Sequence, residues 1–231
     1  MLFGFYYYDP TYVLVLLGVV ISLLASWGVK RTFAKYSKVG NSYGMTAREV
    51  AERILQDAGI YDVAIEPVKG ELTDHYSPSE KVLRLSATVY NSTSVAAIGV
   101  AAHECGHAIQ HARDYAPIKV RNTIVPVVNI GQNFSIPLIM LGLVLSLTPL
   151  VSLGIILFSF ALIFQVITLP VEFNASNRAL RILDERNYLA GDELKGAKAV
   201  LTAAAMTYVA AVISSALQLL RLVLLSKRRD D

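Results

Sequence analysis

The chain has 231 residues, of which 54% are hydrophobic and only 17% are charged, and its mean hydropathy is +0.48. A typical soluble domain has about a quarter of its residues charged, so this composition indicates a membrane protein and excludes a disordered or collagen-like chain. The single cysteine, Cys105, excludes a disulfide scaffold. A net charge of only +3, without basic clusters interleaved with aromatic residues, argues against a nucleic-acid partner.

The first long uncharged run is Pro10–Val29, with 20 residues. A helix needs about 20 apolar residues to cross a bilayer, so residues 1–29 are predicted to form a transmembrane anchor. A cleaved signal peptide is excluded because the basic residues follow the run instead of preceding it. They are Lys30, Arg31, Lys35 and Lys38. The positive-inside rule then places the N-terminus outside and the segment after Val29 in the cytoplasm.

Residues 30–126 are predicted to fold into a small cytoplasmic domain. Thr46–Glu49 has the capping-box pattern that begins a helix. Val63–Val68 and Lys81–Ser86 are predicted to be short strands, since turn-forming residues separate them. The alanine-rich segment from Ser94 to His111 contains no proline and is predicted to be a helix.

The longest uncharged run, Asn122–Val171, has 50 residues and fits two spans. Proline is a poor residue for a helix interior, so Thr148-Pro149 marks the turn of a transmembrane hairpin over residues 127–170. The two predicted helices are Val127–Leu147 and Leu150–Leu169. Buried core helices of a soluble protein are the alternative, but a chain of this length cannot bury so many.

The end of the chain comprises residues 171–198, a helix predicted to start at Glu172 followed by a connection, and a hydrophobic helix with a basic tail at 199–231. The uncharged run Ala199–Leu220 has 22 residues, enough for one more span. A fourth span would place the basic tail outside, against the positive-inside tendency. Gln218 and Arg221 also fit a re-entrant helix or one that lies along the cytoplasmic face. Three or four transmembrane helices are therefore expected, and we favour four.

The predicted helix at 94–111 carries the motif HExxH, formed by His103, Glu104 and His107. Histidines four residues apart lie on one face of a helix, about 6 Å apart along its axis, and can share one tetrahedral zinc ion. The intervening glutamate can take a proton from a water molecule that zinc activates. The alternative is a histidine pair on a solvated helix face.

A third ligand is needed, and Glu172 is the best candidate. His111 lies about 12 Å along the axis from His103 in a straight helix, too far to share the ion. Glu172 is the first charged residue after the 50-residue run. Two spans separate it from His107, so the chain returns to the membrane side that it left. The alternative is a glutamate that only marks the edge of the bilayer.

These residues resemble the glutamate-zincin (gluzincin) metallopeptidases, and the membrane arrangement is similar to that of the HtpX-type and CAAX prenyl proteases. In those proteases the later motif reads ExxAD, whereas here Ser176 stands where the aspartate would be. Ser176 or Asn177 could supply the hydrogen bond that orients a histidine ligand.

A closer resemblance is to the YugP-like family of bacterial membrane zinc metallopeptidases, and it covers nearly the whole chain. The segments that carry it are Leu72–Tyr76, Lys81–Ser86, Ala101–Ala108, Tyr115–Lys119 and Glu172–Leu180. The resemblance implies a multi-pass, zinc-dependent peptidase in the bacterial plasma membrane, with its site on the cytoplasmic side, and names no substrate.

The sequence therefore predicts a mainly α integral membrane protein with a small α+β zincin-like catalytic domain, built from the HExxH helix and a short antiparallel sheet. One zinc ion per chain is expected at His103, His107 and Glu172, with Glu104 as the general base. The substrates expected are peptides or proteins, including membrane proteins, and the other partner is the lipid bilayer. Lys81–Ser86 is either a strand packed inside the sheet, which we favour slightly, or an edge for binding an extended peptide. Four residues are candidates to donate a hydrogen bond to the developing oxyanion: His75, Tyr76, Arg178 and Tyr208.

Two other functions remain open from the residues alone. One is a zinc hydrolase that acts on a lipid-linked amide or ester. The other is a non-enzymatic membrane adaptor with a structural zinc site, which normally needs four protein ligands. Only Cys105 and His111 could supply a fourth, and Cys105 points about 200° away from His103 around the helix.

Overall fold

The computed structural model describes residues 9–230, and it shows six helices and three strands in that range. The helices are α1 (Tyr12–Tyr36), α2 (Ala47–Asp57), α3 (Val95–Ala112), α4 (Ala116–Val144), α5 (Thr148–Glu185) and α6 (Gly191–Asp230). The strands are β1 (Ala64–Val68), β2 (His75–Ser77) and β3 (Val82–Ser86). The predicted mainly α architecture with a small α+β part is confirmed.

The chain forms two compact units. We call one the mixed unit, because it contains the sheet; it comprises Ala25–Thr123 and Ile167–Tyr208. We call the other the helical unit; it comprises the described parts of Met1–Leu24, Ile124–Val166 and Val209–Asp231. The four long helices contribute residues to both units.

Four of the described helices, α1, α4, α5 and α6, are long and apolar enough to cross a membrane. The helical hairpin predicted around Thr148-Pro149 is present, since α5 begins at Thr148. Two features extend beyond the prediction. α4 begins at Ala116 and continues through Pro126, and α5 continues past the apolar run to Glu185 without a break.

Within the helical unit, α6 runs antiparallel to α1. The hydroxyl of Ser214 donates a hydrogen bond of 2.8 Å to the carbonyl of Gly18. Nearer the start of α1, Arg221 of α6 pairs with Asp9, which precedes α1, at 3.4 Å and lies over the ring of Tyr12 at 4.2 Å. α6 is also one of the described helices that are long and apolar enough to span a membrane. This arrangement favours the fourth span over the re-entrant alternative.

The sheet of the mixed unit has the strand order β1-β3-β2. β2 and β3 are antiparallel as predicted, but β1 pairs with β3 in parallel, with Ala64 opposite Val82. β3 takes the centre because four of its five residues are buried, whereas no residue of β1 or β2 is. The interpretation of Lys81–Ser86 as a peptide-binding edge is therefore wrong, since this strand is paired on both sides.

The core of the mixed unit surrounds α3. α2 begins at the predicted capping box, in which Thr46 N–H donates to Glu49 Oε2 at 2.8 Å and Glu49 N–H donates to Thr46 Oγ1 at 3.2 Å. α2 and β3 then pack on α3. The largest fully buried side chains of this core include Ile54, Leu83, Leu85, Ile98 and Leu183. α3 is thereby held on several sides, which fixes the direction of its polar face.

Candidate metal centre

The two histidines of the HExxH motif lie side by side on α3. The helix begins at Ser94, whose hydroxyl accepts the N–H of Ala97 at 3.2 Å. His103 and His107 follow on one face, and their Nε2 atoms are 3.2 Å apart. Their rings meet edge to face, with centroids 4.7 Å apart. Both Nε2 atoms therefore point at the same small volume.

Glu172 reaches that volume from α5. Its Oε2 lies 3.4 Å from His103 Nε2 and 3.5 Å from His107 Nε2. The close approach of the helices depends on Gly106, because a Cβ atom there would lie 2.7 Å from the carbonyl oxygen of Ala175. The structure thus brings the three predicted ligands together, with their ligand atoms within 4.8 Å of one another.

The chemistry of this donor set fits a zinc ion. Two imidazoles and one carboxylate are the ligands found in one class of catalytic zinc sites. Glu172 is almost fully buried, and its Oε2 has no hydrogen-bond partner among the described residues. Burial lowers the pKa of His107, but Glu172 and Glu104 outweigh this and raise it. A buried oxygen without a partner and an environment that favours positive charge both suit a bound cation.

Each histidine ligand has a partner for its second ring nitrogen. His103 Nδ1 lies 3.1 Å from the hydroxyl of Ser176, a contact expected from the sequence. His107 Nδ1 lies 3.0 Å from Oε1 of Gln110. Gln110 was not among the predicted residues, and its only signal was its position three residues after a ligand. Asn177, the other residue considered for this role, is exposed.

The metal centre opens into a cleft of about 340 Å³ within the mixed unit. Glu104 lines this cleft beside His103. Tyr208 also lines it from α6, close enough to interact with Glu172 and Glu104. His75 is not among the lining residues; it is exposed on β2, and its Nδ1 contacts the carbonyl of Thr73 at 2.8 Å.

The remaining candidates lie away from the ligands. Cys105 is fully buried, its thiol donates to the carbonyl of Ala51 at 3.6 Å, and burial raises its pKa, so it faces α2 as a thiol. His111 lies against the ring of Tyr76, with centroids 6.2 Å apart. Arg178 donates to Asn174 at 2.7 Å. Among the described residues the group therefore has three protein ligands.

Comparison with known proteins adds two findings. A family model with the description "Putative neutral zinc metallopeptidase" matches residues 11–227. The chain is also similar to the "Putative membrane protease YugP" of Bacillus subtilis (strain 168), with 49% identity over 205 residues, or 89% of this chain and 91% of the relative. No solved structure matches the chain significantly.

Proposed function

Because the chain belongs to the neutral zinc metallopeptidase family described by this model, we propose that it is a membrane-bound endopeptidase with one zinc ion at His103, His107 and Glu172. One observation carries the proposal: two imidazoles and a buried carboxylate meet at the edge of an open cleft that Glu104 also lines. A structural zinc site would be closed by a fourth protein ligand. The three-ligand group beside a cleft therefore favours an enzyme over an adaptor.

The proposed reaction is hydrolysis of a peptide bond. Zinc, when bound, acts as a Lewis acid toward the carbonyl and lowers the pKa of water. Glu104 accepts the proton of the attacking water and passes it to the leaving amine. The hydroxyl of Tyr208 donates a hydrogen bond to the carbonyl oxygen as negative charge develops there. Ser176 and Gln110 hold the imidazoles of the two histidine ligands.

The walls of the cleft indicate the part of the substrate that it accepts. Their aliphatic part comes from α1, α3, α6 and the loop before β2, and Lys30 is the one lysine or arginine in the lining. The aliphatic residues are Val29, Leu72, Val100, Leu201, Ala204 and Ala205. Such a cleft suits an apolar side chain next to the scissile bond. β1 and β2 are the edge strands of the sheet, and Asp74, directly before β2, also lines the cleft. An extended peptide could pair with that edge.

The same aliphatic walls favour one alternative reaction, hydrolysis of a lipid-linked amide or ester, because an acyl chain fits an apolar cleft equally well. A comparison of peptide substrates with matched N-acyl amino acids distinguishes the two. Endopeptidase activity predicts cleavage of internal peptide bonds in unacylated peptides. The lipid reaction predicts turnover only when an acyl chain is present.

The main test uses purified protein in nanodiscs, with zinc content and hydrolysis of quenched peptides as readouts. We expect Glu104→Gln to keep about one zinc ion and to lose a factor of roughly 10² to 10⁴ in kcat, because the general base is removed. We expect Glu172→Ala to lose zinc. Glu185→Gln is the matched control, since Glu185 is an exposed residue of α5 that pairs only with Arg181 in the described chain.

Two results would contradict the proposal. One is wild-type turnover in Glu104→Gln. The other is wild-type activity that survives removal of zinc by a chelator and does not depend on zinc being restored.

We also propose that the metal centre lies on the cytoplasmic side, as the positive-inside rule indicates for the segment after α1. Single cysteines test this placement, because the native Cys105 is fully buried and should not react. A maleimide that does not cross membranes should label Ser226→Cys in intact cells and Ser37→Cys only after lysis. The opposite pattern would place the metal centre outside.

A further inference from the structure

Gln110 is a polar side chain in the most buried part of the mixed unit. It is fully buried on α3, three residues after His107. Its amide makes three hydrogen bonds: Oε1 with His107 Nδ1 at 3.0 Å, and Nε2 with the carbonyl of Val171 at 2.8 Å and Oδ1 of Asn174 at 3.0 Å. Both N–H donors and the oxygen are thus used. We propose that Gln110 is a positioning residue, which fixes the tautomer of His107 and ties it to the helix of Glu172.

The orientation of this amide is determined by its neighbours. A backbone carbonyl can only accept hydrogen bonds, so the group 2.8 Å from Val171 O must be the NH₂ of Gln110. Asn174 Oδ1 accepts from Arg178 Nε at 2.7 Å, which fixes the amide of Asn174 as well. The oxygen of Gln110 therefore faces His107.

An oxygen in that position selects one form of the imidazole. The amide oxygen accepts only, so Nδ1 of His107 must carry the proton. In the neutral ring Nε2 is then the nitrogen with the lone pair, and this atom lies 3.5 Å from Glu172 Oε2. Gln110 thereby turns Nε2 toward the position that zinc would occupy, which lowers the cost of ordering the ligand.

The partner of the other histidine works differently. Ser176 offers His103 a hydroxyl, which can donate or accept, so it accommodates either tautomer at 3.1 Å. The amide oxygen of Gln110 accepts a hydrogen bond only from the tautomer of His107 that carries its proton on Nδ1. The tautomer of His107 is therefore determined more strictly than the tautomer of His103.

Gln110 also connects the two ligand-bearing helices. Val171, whose carbonyl it binds, is the residue directly before Glu172. One buried side chain thus contacts the imidazole of one ligand and the peptide group next to another. A shift between α3 and α5 would have to break these hydrogen bonds, so the spacing of His107 and Glu172 is held by Gln110 as well as by the close contact at Gly106.

Two substitutions separate the bond to His107 from the bonds to α5. Gln110→Met has a similar shape and removes all three hydrogen bonds. Gln110→Glu keeps an acceptor for His107 but loses both donors and buries a charge, which is costly. Leu183→Ala is the control for general destabilisation, because Leu183 is fully buried in the same core and lies eleven residues after Glu172 on α5.

The experiment measures the zinc Kd of the full-length protein by competition with a chromophoric chelator, and the melting midpoint of the metal-free protein. We expect Gln110→Met to weaken zinc binding about 10- to 100-fold, the usual effect of losing a partner of a ligand. Gln110→Glu should bind zinc more tightly than Gln110→Met, although its metal-free midpoint is as low or lower. Leu183→Ala should lower the midpoint and leave the zinc Kd unchanged.

The proposal is overturned if Gln110→Met binds zinc within twofold of wild type, or if Kd follows the midpoint across all three variants. It rests on the zinc ligands of the proposed function, but zinc affinity is measured without peptide hydrolysis. A protein that binds zinc and cleaves nothing would refute the peptidase and leave the role of Gln110 intact.

Discussion

The two units place the same residue type in opposite environments. In the helical unit, Leu16 and Leu23 of α1 are each 63% exposed, and Gly18 is the only residue of that helix that is buried. In the mixed unit, Leu83 and Leu183 are fully buried. Leucine therefore forms exposed apolar surface in the helical unit and buried core in the mixed unit. The exposed apolar helices need a bilayer as their solvent, whereas the mixed unit is built like a soluble domain.

The units also differ in the interactions that hold them together. Lipid tails are as apolar as leucine, so helices gain little from burying leucine against each other in a membrane. The helical unit uses small residues and polar contacts instead, such as the hydrogen bond from Ser214 to Gly18 and the pair of Arg221 with Asp9. The mixed unit has a packed core that fixes side-chain positions closely.

This difference explains why the metal centre belongs to the mixed unit. Three ligand atoms stay within 4.8 Å of one another only if α3 and α5 keep fixed positions relative to each other. α5 carries exposed apolar residues such as Leu153 and Ile156 in its first half and Glu172 in its second half, where its neighbours are core residues such as Ala175 and Ala179. The same helix thus passes from one type of environment to the other just before it supplies a ligand.

The largest effect that tests this comparison is expected from two leucines of α5. Leu183→Ala should lower the free energy of unfolding of the mixed unit by about 2–5 kcal/mol, because it leaves a cavity. Leu153 is 45% exposed in the helical unit. Leu153→Ala should change stability by less than about 0.5 kcal/mol in a bilayer, since lipid fills the space. Urea unfolding in nanodiscs, followed by hydrogen exchange of each unit, measures both. Equal losses for the two variants would refute the proposed difference in environment.

The next effect concerns two glycines at close helix contacts. A Cβ atom at Gly106 would lie 2.7 Å from Ala175 O, and one at Gly131 would lie 2.9 Å from Leu157 O. Each alanine variant should destabilise its own unit by about 1–3 kcal/mol, because the backbones must separate. Only Gly106→Ala should weaken zinc binding, since it moves α5 away from α3.

Gly28 provides the control for this pair. A Cβ atom there would meet nothing within 4 Å, so Gly28→Ala should keep zinc affinity and gain up to about 1 kcal/mol from helix propensity. Zinc titrations and melting curves of Gly106→Ala, Gly131→Ala and Gly28→Ala test whether only the first variant loses zinc affinity. Loss of zinc in Gly131→Ala would show that the metal centre depends on helix packing in both units.

Local patterns in the sequence predicted much of the fold. Uncharged runs predicted the long helices, because the length needed to cross a bilayer is fixed. The capping box at Thr46 predicted the start of α2. The spacing of His103 and His107 placed them on one helical face, and the number of spans between them and Glu172 predicted that the chain returns to the same side.

Features that depend on distant parts of the chain could not be predicted in this way. β2 has only three residues, too few for a periodic pattern, and it pairs with β3 rather than leaving Lys81–Ser86 at an edge. In the sequence, Gln110 cannot be distinguished from an ordinary helical residue. Its role depends on α5, which places the carbonyl of Val171 against it. Tyr208 was one of four candidate donors, and only packing of α6 distinguishes it.

The smallest effect is expected at the capping box of α2. Thr46 and Glu49 satisfy two N–H groups at an exposed helix start, which water would otherwise have to solvate. Thr46→Ala should therefore lower the free energy of unfolding of the mixed unit by about 1 kcal/mol. Zinc affinity should not change, because α2 supplies no ligand.

Two further variants make this prediction specific to the cap. Thr46→Ser keeps the hydroxyl and should recover most of the loss. Thr123→Ala removes a hydroxyl that donates to the carbonyl of Lys119 inside α4, where the N–H groups are already bonded within the helix, and it should have little effect. If Thr46→Ser is as unstable as Thr46→Ala, the side-chain oxygen does not stabilise α2. If Thr46→Ala lowers zinc affinity instead, the core of the mixed unit transmits strain from α2 to α3, and the metal centre is less isolated from the protein surface than its packing indicates.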